Sequence, residues 1–260
     1  MIPYYPTGGL MMKNKILIIC KSLLWCFAIL VFPIISGTLS VIFSLNTVTA
    51  LFFQGTFMAM ALILPAPFVF SGKWHWRELG FAPINFENCK RVFYFIPLLV
   101  IFIPAAVKGF CIKSIEYVLG SLFLYLFVGI SEEVYFRGII PRYIKEEFSM
   151  KGLVVLSTFI FGIGHIATAF TGSNIFEIAL TVLNALIFGW LAMEITIISS
   201  NIIPAIFIHF LFDFETKIVA MSGRELLVAE GLRGTLMLII AGWLAVVIYK
   251  HKAALNIENT

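Results

Sequence analysis

The chain is poor in charge. Only 12% of its 260 residues are Asp, Glu, Lys or Arg, where an ordinary soluble domain carries roughly a quarter. Between Lys21 and Lys73 there is no charged residue at all. No stretch is polar enough to form a separate soluble domain. The net charge of +4 comes from Lys and Arg in loops; with no basic stripe, nucleic acid is not an expected partner. Cysteine is scarce too. Cys20, Cys26, Cys89 and Cys111 form no CxxC pair and join no His at metal spacing, so they read as apolar filler. There is no internal repeat, and no Ser or Cys nucleophile has an obvious partner base; Ser131 adjoins an acidic pair, but nothing marks it out.

What the chain has is apolar surface: 61% of its residues are hydrophobic. A soluble core cannot use that much, but a bilayer can. A spanning helix needs about 20 apolar residues, and the chain supplies several such runs. The run from Ile16, after Lys13 and Lys15, is longer than a signal h-region of about 7–15 residues, and no Ala-x-Ala site closes it, so it is expected to persist as a first helix. The 21–73 stretch is too long for one span. The Ser36-Gly37-Thr38 turn and the polar Asn46 and Thr47 suggest a break within it. A polar loop at 71–91 follows, then spans at about 92–107 and 115–140, the latter stopped by Pro141. Further spans are expected at about 152–170, 176–193, from Glu194 to about 214, and 235–249, the last with room for an earlier start, and a turn at Thr171-Gly172-Ser173-Asn174.

The expected fold is therefore an all-α polytopic membrane protein, a bundle of about eight transmembrane helices. It divides into N-terminal helices (1–110), a core (111–220), and a C-terminal helix and tail (221–260) within one structural domain. Lys and Arg in short loops mark the cytoplasmic side. The N-terminal tail, the 71–91 and 137–151 loops, and Lys250 and Lys252 share one side, which places both termini in the cytoplasm. Lys108, Lys113, Lys217, Arg224 and Arg233 blur the rule.

Charge near the bilayer centre costs at least about 2.5–3.5 kcal/mol per group, so ionisable residues inside spans are candidate functional groups. Three sites stand out. In Ser131-Glu132-Glu133-Val134-Tyr135-Phe136-Arg137, Glu133 and Arg137 are i and i+4 with the acid first, the favourable order for an ion pair. Glu132 is rotated about 100° from Glu133 and is left to point elsewhere in the bundle. The bland alternative is an acidic cluster snorkelling at the membrane edge. In Phe161-Gly162-Ile163-Gly164-His165, two glycines allow close helix approach beside a His; the alternative is a His bonded to a backbone carbonyl. In His209-Phe210-Leu211-Phe212-Asp213, His and Asp share a helix face. There Asp213 can orient the imidazole, or both can bind one water or metal; a structural hydrogen-bonded pair is the alternative. Pro204 upstream is expected to kink that helix. At about 1.5 Å per residue, His165 and His209 fall about 20 Å from the inner helix ends and Glu132 about 12 Å, compatible with one shared depth. Three polar sites cost less together than apart, because they can neutralise and bond one another.

A converged Glu/His/His/Asp set suits hydrolysis. A carboxylate can activate water, and a His can hold that water or stabilise an oxyanion. Alternatively, Glu132, His165 and His209 bind Zn²⁺, which lowers the pKa of bound water to about 7. The cofactor expectation stays open between Zn²⁺ and none.

These residues resemble the type II CAAX prenyl endopeptidase family, also called the CPBP or Abi family of intramembrane proteases. Its signature is EExxxR on one helix, FxxxH on the next and HxxxN or HxxxD on a later one. Here it stands as Glu132-Glu133…Arg137, Phe161…His165 and His209…Asp213, in the family's order, over roughly residues 115–215. The resemblance implies about eight helices around a conical cavity open to the cytoplasm and membrane. It implies Glu132 as the carboxylate that activates water, His165 as a water ligand, His209 and Asp213 as the oxyanion site, and Glu133 paired with Arg137. Both metal-dependent and glutamate-dependent mechanisms are argued for the family. Asp213 stands where many members have Asn, and a charged carboxylate suits a metal or an imidazolium better than an oxyanion.

The expected function is an intramembrane endopeptidase in a bacterial cell membrane. It would cut a membrane-associated protein or peptide, in CAAX-type C-terminal processing or bacterial peptide maturation, with membrane lipid as its other partner. Two other readings are a non-catalytic regulatory or scaffold protein on the same fold, as in bacteriocin self-immunity, and a transporter or proton path. The absence of a repeat counts against the transporter.

Overall fold

A computed structural model describes residues 7–83, 91–167 and 174–250. The sequence turn at 171–173, Lys90 and Lys252 lie outside them. Among the described residues the structure is helical, with one isolated bridge between Phe110 and Val219 and no strand. The order is α1 (Thr7–Ile42), α2 (Thr47–Ala61), α3 (Ala66–Phe70), a 3₁₀ helix (Val92–Phe102) continued by α4 (Ile103–Ala106), and α5 (Ile115–Glu133). A π turn (Val134–Ile139) then leads to α6 (Ile140–Ile144), α7 (Met150–Gly164), α8 (Ile175–Ser199), α9 (Ile203–Ile218) and α10 (Gly223–Lys250). Among the described residues, six stretches are long and apolar enough to cross a bilayer: 13–42, 47–70, 115–144, 150–167, 175–199 and 223–250. Two shorter helical passes, 92–106 and Ile203–Ile218, bring the bundle to the eight expected. The protein is an all-α polytopic membrane protein. Large apolar side chains such as Leu24, Phe27 and Phe176 face outward, as a lipid solvent permits.

Short polar residues set the helix starts. Asn46, Ser114, Ser149 and Asn174 each accept hydrogen bonds from first-turn N–H groups of α2, α5, α7 and α8, satisfying donors that would otherwise be orphaned.

The first break lies at 43–46, beside the expected Asn46 and Thr47, whereas α1 runs through Ser36-Gly37-Thr38, where the Ser36 and Ser40 hydroxyls bond carbonyls of their own helix. Three other expectations need correction. Pro141 does not stop its span. The chain passes through a π turn, in which Ile140 N–H bonds Tyr135 O, and stays helical to Ile144. In that register the next donor, to Phe136 O, would be Pro141, which has no N–H. The Ser157 hydroxyl of α7 donates to Phe136 O instead, at 2.9 Å. Glu194 does not end a helix either. It is buried inside α8, accepts from Trp190 Nε1 at 2.8 Å, and the turn comes at the left-handed Ser200. Pro204 therefore sits in the first turn of α9, where it is tolerated, rather than kinking it. The last helix starts at Gly223, the earlier start for which the sequence leaves room, and its buried charge is paired. Buried Arg233 meets Glu230 at 2.7 Å and Glu215 at 3.3 Å, and donates to Phe212 O.

Close helix crossings use glycine. A Cβ on Gly162 of α7 would lie 2.4 Å from Leu186 of α8. One on Gly129 of α5 would lie 3.2 Å from Ile206 O and Phe210 N of α9. These contacts hold α5, α7, α8 and α9 around one another.

Candidate active site

The acidic pair ends α5 where the helix passes into the π turn. Such insertions re-aim successive side chains and are frequent at functional sites. Glu133 is wholly buried and Arg137 nearly so, with Nε 3.0 Å from Glu133 Oε2. This i,i+4 ion pair is the one expected from the sequence, and its burial removes the membrane-edge alternative. The guanidinium lies over the Phe161 ring at 4.3 Å and near Gly189 O at 3.5 Å. Phe161 is thus the aromatic floor of a buried cation.

Glu133 has a second partner that the sequence did not suggest. Its Oε1 lies 2.7 Å from Nδ1 of His209, 76 positions away, so the Nδ1–H of His209 donates to Glu133. The other ring nitrogen, Nε2, lies 3.5 Å from Asp213 Oδ2 and 3.8 Å from Glu132 Oε2. Both nitrogens of His209 face carboxylate oxygen, the arrangement of a ring that donates from both. Asp213 does orient the imidazole as expected, but from the Nε2 side. The ring is wedged between Phe188 and Phe161, at centroid separations of 4.8 and 6.0 Å.

His165 caps α7. Its Nδ1–H donates to Phe161 O at 3.0 Å, which fixes the tautomer with Nε2 as acceptor. The backbone-bonded alternative is therefore present, but His165 also borders two cavities. One, about 510 Å³, is bounded by His165, His209, Asp213, Asn184 and Glu230 and runs between α8, α9 and α10. The other, about 660 Å³, is an apolar groove along α1 from Ile29 to Ile42 that ends on Glu132, Phe136 and His165. Glu132 thus borders one open volume and His209–Asp213 the other, with His165 on both.

The six sequence candidates do come together, but not at equal helical depth. Glu132 is twelve residues from the end of α6, about 18 Å along the axis, and His209 only six residues from the start of α9, about 9 Å. The displaced start of α9 explains the difference. Sequence reading missed two things: the Glu133–His209 bond, which no local spacing encodes, and the Arg233–Glu215–Glu230 network under Phe212. For the network, the i,i+3 spacing of Glu230 and Arg233 was the available signal.

Residues 114–214 match the family model described as Rce1-like: Type II CAAX prenyl endopeptidase Rce1-like. The chain carries a Rce1-like segment. The matched segment spans α5 to α9 and holds all six candidates, and the family that the model describes is one of proteases. No curated protein and no solved structure matches the chain.

Zinc is one cofactor that the resemblance raises. Among the described residues, no three His, Cys, Asp or Glu side chains are placed to hold a metal ion, Glu132, His165 and His209 included. The donors as arranged do not fit a zinc site.

Proposed function

We propose that the protein is an intramembrane endopeptidase that hydrolyses a peptide bond of a membrane-associated protein or peptide with water activated by Glu132. The reading is supported by one chain of contacts. Arg137 holds Glu133, Glu133 holds Nδ1 of His209, and Nε2 of His209 faces Glu132 and Asp213 beside the two cavities. Water held between Glu132 and Nε2 of His165 gives a proton to the Glu132 carboxylate as its oxygen attacks the scissile carbonyl. His209, steadied by Glu133 and Asp213, donates to the oxyanion that forms. Collapse breaks the C–N bond, and the leaving amine takes the proton from Glu132. The α1 groove suits an apolar part of the substrate. On the Lys and Arg bias of the loops, we infer that both termini are cytoplasmic.

The test is peptide cleavage by purified Glu132→Gln protein beside wild type, with and without exhaustive chelation. A positioned general base contributes about 10²–10⁴-fold, so turnover falls by that factor, and chelation leaves the wild type unchanged. Full activity in Glu132→Gln removes the assignment. Inactive wild-type protein, with Glu132→Gln fully rescuing a deletion phenotype, gives the field to the scaffold reading.

A further inference from the structure

The two ends of the bundle differ in charge and in closure. Helix directions alternate, so the start of α1 and the end of α10 lie at one end, together with the 71–83 and 142–150 segments. Contacts tie that end together: Asn14 to Glu147 at 3.3 Å, Arg142 to Glu78 at 3.2 Å, and Arg91 to Ile198 O at 3.3 Å. Lys13, Lys15, Lys73, Arg77, Arg142 and Lys145 lie there, joined by Arg91, Lys151 and Lys250. The other end carries the 43–46 turn, with no Lys or Arg, and the 107–114 and 219–223 segments. It holds Lys108, Lys113, Lys217 and Arg224. Lys108 pairs with Glu225, and Lys113 and Lys217 lie over tyrosine rings.

The Lys/Arg-rich end is plugged. Trp74 and Leu79 of the 71–83 segment are buried under it. A Cβ on Gly138 would lie 2.8 Å from Leu79 O, leaving no gap between plug and π turn. Ile202 N–H donates to Gly80 O at 2.9 Å, and the Asn201 amide to Ala82 O at 2.8 Å. Both cavities run the other way. One reaches Glu177, Lys217 and Gly223 at the far ends of α8, α9 and α10, and the other reaches Ile42 at the far end of α1.

We propose that the candidate site is reached from the extracytoplasmic face and outer leaflet, so that its substrate is an exported polypeptide presenting an apolar segment along α1. Short loops rich in Lys and Arg stay in the cytoplasm, and the cavities open at the opposite end. The cytoplasmic opening implied by the family resemblance and the cytoplasmic termini implied by loop charge cannot both hold in this fold. The Lys and Arg bias decides for the termini, and the plug at the charged end then leaves the cavities open only to the opposite face. The substrate class rests on the endopeptidase reading; the sidedness does not.

Native Cys111 offers the test. It is exposed at the cavity end, its N–H bonded to Ile218 O. One chain keeps only Cys111, with Cys20, Cys26 and Cys89 replaced by Ala. A second carries Lys145→Cys with all four native cysteines replaced by Ala. Intact cells are treated with a membrane-impermeant maleimide before and after permeabilisation. Cys111 is expected to react equally in both conditions, and the Lys145→Cys chain only after permeabilisation. The reverse pattern, or equal reaction of both chains in intact cells, overturns the proposal. A C-terminal fusion of the otherwise native chain to a protein that fluoresces only when folded in the cytoplasm gives a second reading: bright cells support the assignment, and dark cells overturn it even if the alanine chains do not accumulate. Neither measurement needs turnover, so loss of the endopeptidase reading would leave this result standing.

Discussion

Arg137→Met is the most informative single perturbation of the support. The guanidinium sits at 3.0 Å from Glu133, over Phe161 at 4.3 Å, with its side chain 1% exposed and that of Glu133 not exposed at all. Methionine fills much of the volume but leaves a buried carboxylate whose other close partner, among the described residues, is His209. Removing one partner of a buried pair costs about 3–5 kcal/mol, because the remaining charge is uncompensated. For a chain of this size, 1 kcal/mol moves the unfolding midpoint by roughly 2–4 °C. Thermal unfolding of the detergent-purified protein should therefore show a fall on the order of 10 °C. The double variant Arg137→Met with Glu133→Gln is the control. It removes both charges yet keeps an amide oxygen for the Nδ1–H of His209, so it should be more stable than Arg137→Met alone. Arg137→Lys should rescue little, since a point ammonium does not reproduce the planar stacking on Phe161. A midpoint within a degree or two of wild type in Arg137→Met, or a double variant less stable than the single, would refute the claim that this pair is a buried electrostatic support.

Two further substitutions probe the frame around the site. Ser157→Ala strands Phe136 O, the carbonyl that Pro141 cannot satisfy, and should destabilise by about 1–3 kcal/mol; an unchanged midpoint would mean the π turn does not depend on α7. Gly129→Leu forces side-chain atoms into the backbone of α9 at Ile206 and Phe210. It should cost about 1–3 kcal/mol and lower turnover by shifting His209 away from Glu132; cleavage at the wild-type rate would show that the α5–α9 spacing is not critical.

How much of this was legible in the sequence follows from the range of each interaction. The Glu133–Arg137 pair was legible because both partners sit on one helix turn and i,i+4 geometry is local. The same holds for His209 and Asp213, and for Gly162, whose lack of a Cβ foretold the contact with α8. The helix count was legible because lipid demands long apolar runs. The boundaries around Glu194 and Pro204 were misread. A charge inside an apolar run looks like an end unless its partner is known, and Trp190, one turn earlier, is a partner that hydropathy does not weigh. The hydrogen bond from His209 to Glu133 was not legible at all. It joins residues 76 positions apart across a helix crossing set by Gly129, and nothing in either motif specifies that contact.

The cluster is graded from dry to open. Side-chain exposure is 1% at Arg137 and 0% at Glu133, then 4% at His209, 18% at Glu132 and 29% at Asp213. Charge alternates along the same line, from guanidinium to carboxylate to imidazole to a pair of carboxylates. A charge buried in a dry site must be compensated by its neighbours, whereas one beside a cavity can exchange its partner for water or substrate. The gradient therefore divides the labour. The closed half can only hold His209 in place, and the open half alone can meet a reacting atom. It follows that substitutions at Arg137 and Glu133 should act first on folding stability. Those at Glu132 should leave stability nearly unchanged while removing turnover, so unfolding midpoint and rate, measured on the same purified variants, should separate the two halves of the cluster.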